Sequence, residues 1–286
     1  MASTRELRRR IRSIGSTAQI TKAMQMVAAS KMRKAQQLAI EVRPFVRLFY
    51  RIQRAAATHA GELAHPLLLA RIVRARAVIV VAADKGLCGA LNSNVFRLAA
   101  QYDPQTTVFL AAGRKASQFL AQTRRRLVAE FPYGDTPQFA ESRAIAVLAR
   151  QLFEDGEVDA VDVVAARFVN TLVQQPVAVP FLPLGDLKGL EVPGMPPPID
   201  AGVSEFVFEP GAGDIVSYAI GHYINVLVHV VLLNAKASEQ SARMVSMQGA
   251  TDSATEMIRE LRLEYNKLRQ GHITQELLEI AGGTSA

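Results

Sequence analysis

The stretch most able to host chemistry is Asp84–Asn92 (DKGLCGALN), which follows a β-branched run and precedes a helical one. Doubly wound folds bind phosphate at such glycine-bearing turns, where free backbone N–H groups converge on a helix N-terminus. Its two glycines do not match GxGxxG, however, and neither GxxxxGKS nor GxxxxGKT occurs anywhere in the chain. A tight turn explains the pair without a ligand. Cys88, the single cysteine, would need a base to act as a nucleophile, and no histidine stands near it in sequence. One cysteine excludes an internal disulfide and suits a reducing compartment. His222 and His229 share a helix face but lie two turns apart, roughly 10 Å, too far for one ion without further ligands. They read as packing or surface histidines. No Ser–His–Asp group, HExxH helix or zinc set can be assembled, so neither a catalytic residue nor a cofactor or metal is expected.

The elements around that turn carry more information. From Ala77 the chain alternates short apolar runs with helical stretches. Residues 77–83, 106–112, 127–131 and 160–168 read as strands, and 93–102, 115–122 and 138–153 as helices. That alternation predicts an α/β layer with a largely parallel sheet. Residues 173–184 and 206–208 add edge strands, because Pro176, Pro180 and Pro183 exclude a central position. Residues 191–198 (EVPGMPPP) read as a proline-rich surface loop.

Outside this region the period changes. No proline precedes Pro44, and none follows Pro210. Leu7, Ile11, Ile14, Ala18, Thr21, Gln25, Ala28, Met32, Ala35, Ala39, Val42, Val46 and Phe49 step alternately by three and four. So do Val230, Leu233, Ala237, Gln240, Met244, Met247, Thr251, Ala254, Ile258, Leu261, Tyr265, Leu268 and His272. Such spacing keeps one stripe on one helix face and imposes a left-handed supercoil. At 1.5 Å per residue the C-terminal segment would be on the order of 100 Å long, too long for a core helix. Two matching terminal helices most simply pair antiparallel within the chain; each could instead zip with another molecule. Gln25, Gln240, Thr251 and many alanines thin the seam, leaving helix surface for other proteins. The expected fold is therefore α/β: a long antiparallel coiled coil of the terminal helices plus a Rossmann-like globular domain. Its parts are a coil helix over 1–58, a connector over 59–76, the α/β domain over 77–209 and a second coil helix over 210–286.

Charge is uneven. Residues 1–54 hold thirteen Lys and Arg against Glu6 and Glu41, so this arm carries +11 of a chain whose net is +7. A basic helical arm points to nucleic acid, anionic lipid or an acidic protein surface. It also has the Arg-rich character of a transit peptide, but heptads continue through it, which reads as mature protein. No run of 18 apolar residues exists, so no membrane span is expected.

Four segments sharpen this reading. Residues 20–36 (ITKAMQMVAASKMRKAQ), 84–92 (DKGLCGALN), 242–252 (ARMVSMQGATD) and 265–283 (YNKLRQGHITQELLEIAGG) resemble, in order, the signatures of the gamma subunit of F-type ATP synthases. The resemblance implies a coiled coil seated in a hexamer of alternating alpha and beta subunits. It also implies a globular end resting with epsilon on the membrane ring of c subunits. Proton flow would turn ring and shaft, forcing the beta sites through different nucleotide affinities, and the apolar tip 273–282 would serve as a bearing. By the same resemblance, Met24, Lys85, Cys88, Arg243, Gln270, Thr274 and Glu276 match positions that contact beta; each also reads as plain helix surface or coil packing. Lys85 stands where the family more often has Arg, and Ala90 where it usually has Gly. The inserted cysteine pair of chloroplast forms is absent, which excludes a dithiol switch. The implied location is peripheral, on the cytoplasmic face of a bacterial plasma membrane, associated with it only through the complex. The competing reading is a nucleic-acid-binding coiled-coil protein using the basic arm, with neither aromatic interleaving nor a recognised motif in its favour.

Overall fold

The computed structural model describes residues 3–42, 44–46, 48, 65–184 and 212–283, except for the side chains of 212–217, 276 and 279–283. The candidate strand 206–208, the proline-rich loop 191–198, seam residue Phe49 and most of the connector fall outside them. In order come α1 (Thr4–Glu41), β1 (Arg76–Val81), α2 (Leu91–Ala99), β2 (Thr107–Ala112), α3 (Arg114–Gln122) and β3 (Leu127–Phe131). Then follow α4 (Phe139–Glu154), β4 (Ala160–Phe168), β5 (Gln174–Leu182) and α5 (Ala212–Gly283). The chain divides into two compact units: residues 29–243, and residues 1–28 with 244–286.

In the larger unit the five strands lie in the order β3-β2-β1-β4-β5. The first four are parallel, and β5 runs antiparallel to β4. β1 and β2 are buried almost throughout, as continuous apolar strands covered on both faces must be. β5 holds Pro176 opposite Ala166 and Pro180 opposite Asp162, on the edge where missing N–H groups cost no ladder bond. One face of the sheet packs Ile79, Val81, Leu110 and Val163 against Ile145, Ala149 and Phe153 of α4 and Tyr223, Ile224 and Leu227 of α5. The other packs Val78, Val80, Phe109 and Val164 against Leu91 and Val95 of α2 and Leu120 of α3. At the N-terminus of α4, Glu141 reaches back to accept from the Gln138 N–H at 2.6 Å, closing half of a capping box.

The first part of α5 is core rather than coil. Between Val230 and Ser241 the seam residues are buried, but so are Leu232, Lys236 and Glu239 between them. A helix laid on a sheet is covered over a wide arc, so the narrow stripe disappears there. By length and composition one stretch within Tyr218–Gln275 could cross a membrane; 61% of it is buried inside the protein.

In the smaller unit the stripe behaves as its period dictates. Leu7, Thr21 and Ala28 are buried, and Ile11, Ile14, Ala18 and Gln25 half-buried, while Arg8, Arg9, Arg10, Arg12 and Lys22 are exposed. On α5, Met247 and Ala254 are buried, and Thr251, Ile258, Leu261, Tyr265 and Leu268 half-buried. Arg8 Nη2 donates to the Tyr265 hydroxyl at 2.6 Å, Thr21 meets Thr251 at 2.7 Å, and Gln25 Nε2 donates to Gln248 at 3.4 Å. Partners fall as numbers rise, so the helices are antiparallel and in constant register. The pairing is within one chain, which decides between the two options the period left open.

Candidate functional site

In a doubly wound sheet, ligands bind beyond the carboxyl ends of the strands, where the strand order reverses. Here that point lies between β1 and β4, and the turn leaving β1 is Asp84–Asn92. The crevice is occupied by side chains of the chain's own α5. Ser238 Oγ donates to the Ala166 carbonyl of β4 at 3.1 Å, and Ser241 Oγ to that of Thr171 at 2.7 Å. Between and beyond them stands a buried charged row. The Glu239 carboxylate holds Lys236 Nζ at 2.9 Å and Arg243 Nη1 at 2.8 Å. Lys236 also lies 4.7 Å over the Tyr133 ring and 3.9 Å from Asp135. Burial, with Glu239 next, raises the Tyr133 phenol well above its usual range, and its O–H donates to the Ala82 carbonyl at 3.0 Å. Asp135 accepts a hydrogen bond from Lys31 of α1, which is the main reason its pKa is lowered.

The turn is fixed from several sides. The Ala83 N–H donates to Asn92 Oδ1 at 3.1 Å, and the Arg114 N–H to Asp84 Oδ1 at 2.8 Å. Arg243 Nη2 donates to the carbonyls of Lys85 and Gly86, each at 3.3 Å. Gly113 sits at φ 92°, where a Cβ would lie 2.1 Å from the Ala82 oxygen, so only glycine lets β2 leave the sheet this close to β1. The Ala83 N–H entering the turn and the Lys85 and Gly86 carbonyls within it are thus engaged by side chains of the chain itself.

Lys85, Cys88 and Arg243 are thus brought together, although 155 residues separate Cys88 from Arg243 in sequence. Lys85 is exposed. Cys88 is 2% exposed and receives the Asn92 amide at 3.5 Å; burial raises its thiol pKa against the pull of Arg243, which leaves it protonated and unreactive. Arg243 is 8% exposed and spends its donors inside the chain. In the smaller unit Met24 is half-buried beside the seam, and Gln270 and Thr274 are exposed on α5, where the Thr274 hydroxyl donates to the Gln270 carbonyl at 2.9 Å. Glu276 belongs to α5, and its side chain lies outside the described residues. Sequence reasoning missed Lys236, Glu239 and Asp135. The signal available was the spacing Lys236, Glu239, Arg243, three charges three and four apart in an otherwise apolar stretch. Among the described residues no cluster of three or more His, Cys, Asp or Glu could hold a metal. His222 packs edge-on against Phe45 at 5.3 Å, and His229 Nδ1 meets Ser142 Oγ at 2.8 Å.

Fold and site together define a class: an antiparallel helical pair combined with a doubly wound α/β unit whose ligand crevice is filled by its own helix. Comparison with known proteins takes the assignment further. The family model for ATP synthase matches residues 3–286. The ATP synthase gamma chain of Opitutus terrae is 43% identical, covering 100% of this chain and 99% of that one. The corresponding chain of Methylacidiphilum infernorum is 41% identical, covering 98% of each. Among solved structures, a chain of the OSCP/F1/c-ring assembly of Euglena gracilis mitochondrial ATP synthase superimposes with a TM-score of 0.66. It is 17% identical, with 99% of this chain and 94% of that chain covered. A chain of the central stalk and c-ring of the Tetrahymena thermophila mitochondrial enzyme gives 0.59 at 24% identity, covering 81% and 99%. These two are likenesses of fold. The chain belongs to the ATP synthase family, among its gamma chains.

Proposed function

We propose that this gamma chain is the rotating shaft of a proton-translocating ATP synthase, coupling ion flow through a ring of c subunits to ATP synthesis and hydrolysis in an alpha/beta hexamer. It contributes no catalytic group of its own. Epsilon is its companion at the membrane end, and the whole is peripheral, on the cytoplasmic face of the bacterial membrane.

One observation carries this reading: the helical pair has a seam suited to a shaft and a surface suited to a sleeve. Its interhelix contacts include three polar pairs at constant register, so the helices hold each other in alignment. Past Leu268 the stripe ends and α5 is exposed all round among its described side chains, with Ile273 45%, Leu277 61% and Leu278 67% exposed. Apolar side chains offered to a surrounding ring make contacts without direction, which break and re-form cheaply as the axis turns. Met24, Lys85, Cys88, Arg243, Gln270, Thr274 and Glu276 are the positions proposed to act at the beta subunits, directly or by shaping the surface. Nothing among the relatives or the fold favours the nucleic-acid reading of the basic arm, which instead suits acidic protein loops.

Gentle purification should recover the chain with a hexameric ATPase, about one copy per six large subunits by the stoichiometry of a single central shaft. Recovery of a free monomer would contradict the proposal. Truncation after Gln270 should weaken torque or assembly while leaving the larger unit folded; unchanged coupling would remove the bearing role.

A further inference from the structure

Charged side chains of alternating sign run unbroken from α1 to the turn at 84–92. Lys31 of α1 donates to Asp135 Oδ2 in the loop between β3 and α4. The other oxygen of that carboxylate, Oδ1, faces Lys236 Nζ at 3.9 Å. Lys236 donates to Glu239 Oε2, and Arg243 Nη1 takes Glu239 Oε1. Arg243 Nη2 ends the row on the carbonyls of Lys85 and Gly86. One end is open and the middle is sealed: the side chains of Lys31 and Asp135 are 40% and 55% exposed, and that of Lys236 is 1% exposed. An exposed pair such as Lys31 and Asp135 contributes little by itself. Its reach comes from the second carboxylate oxygen, because a buried ammonium feels a nearby anion more strongly than a solvated one does. Lys31 chiefly, and Lys236 after it, draw the Asp135 pKa down.

The row is short of negative charge, since Lys31, Lys236 and Arg243 share the carboxylates of Asp135 and Glu239. Asp84 and Glu141 also act on the Tyr133 phenol over which Lys236 lies. They are engaged elsewhere, by the N–H of Arg114 and by those of Gly134 and Gln138. Lys31 and Lys236 therefore compete for Asp135. Drawing Lys31 away gives Asp135 wholly to Lys236, which then pulls less on Glu239 and leaves it to hold Arg243. We propose that this row is a relay: Lys31 is coupled to the turn at 84–92 through Asp135, Lys236, Glu239 and Arg243, so that neutralising Lys31 tightens the turn and neutralising Asp135 loosens it. Its input is an anionic group outside the chain that engages the partly exposed Lys31 ammonium. The coupling is internal to the chain and goes beyond the shaft reading, which neither requires nor supplies it.

Cys88 reads the result. It is the single cysteine, 2% exposed, and follows the carbonyls that Arg243 holds, so a thiol reagent reaches it only when the turn opens. The test labels the full chain with a soluble aromatic disulfide, as parent and as Lys31→Gln, Asp135→Asn, Asp135→Glu and the double variant Lys31→Gln/Asp135→Asn. Urea unfolding midpoints are measured beside each. These substitutions lie at the exposed end and keep Lys236, Glu239 and Arg243, so the buried part of the row stays intact. Lys31→Gln should slow labelling roughly three-fold, and Asp135→Asn should quicken it roughly three-fold. Asp135→Glu, which keeps the charge, should stay near the parent. In the Asp135→Asn background Lys31→Gln should change nothing, the mark of a residue that acts through another. If the pair only staples α1 to the loop, both single substitutions quicken labelling in step with a lowered midpoint, and that result would overturn the relay. Unchanged labelling in both would overturn it too, as would a Lys31→Gln effect that persists without the Asp135 carboxylate.

Discussion

The hydroxyl oxygens of Thr21 and Thr251 lie 2.7 Å apart, although 230 residues separate them in the chain. Each also has a carbonyl of its own helix within reach, Ala18 for Thr21 at 3.1 Å and Met247 for Thr251 at 2.8 Å. Two hydroxyl protons therefore serve one interhelical bond and one carbonyl. This pair shows how a seam thin in leucine still fixes its register.

Thr21→Val or Thr251→Val alone should cost about 1 kcal/mol, because the remaining hydroxyl loses its cross-helix partner in a partly buried seam. The double substitution should recover most of that loss, since two valines meet without an orphaned polar group. Urea unfolding of the four chains as a double-mutant cycle reads the difference.

Glu239 is the anion between two buried cations, so Glu239→Gln should be severe. Removing one partner of a buried ion pair typically costs about 3–5 kcal/mol. Adding Lys236→Met should restore part of it, because Arg243 then keeps the carbonyls of Lys85 and Gly86 while the buried ammonium is gone. Thermal unfolding of the single and double variants checks the order.

His229 supplies a pH signature. Burial lowers its pKa below the ordinary 6.5, with Glu141 pulling the other way. The folded chain then binds its proton less readily than the unfolded chain. Stability is fully present above the unfolded value and falls as pH drops through 6.5 toward the folded one. His229→Gln, which keeps a hydrogen-bonding group near Ser142, should flatten the stability profile between neutral and mildly acidic pH. His65, also lowered mainly by burial, has the same sign, so the slope should shrink and not vanish. Unfolding midpoints across that range decide it.

Much of this was legible because period and β-branching are local signals. Residues 127–131 and 160–168 read as strands and fold as β3 and β4 with those bounds, and the prolines of β5 announce its edge position. The α1 stripe from Leu7 to Ala39 is buried or half-buried at every step, since a helix facing one partner keeps its period. Two things were not legible. The stripe of α5 between Val230 and Ser241 promised a seam, but a sheet covers that stretch and buries charged Lys236 and Glu239 as well. Burial of that kind is decided by what lies opposite, which local spacing does not encode. Likewise the turn at 84–92 could be read as a turn, but not that Arg243, from the far end of the chain, would hold its carbonyls.

The central claim is that α1 and α5 turn as one body. Cysteines at positions 21 and 251 replace two side chains that already touch, and the native Cys88 is buried. ATP-driven ion pumping by the assembled complex, measured before and after oxidation of Thr21→Cys/Thr251→Cys, is the direct test. The account predicts a quantitative intrachain cross-link and unchanged pumping. Pumping lost on oxidation and regained on reduction would show that the two helices must move past each other, and would contradict it.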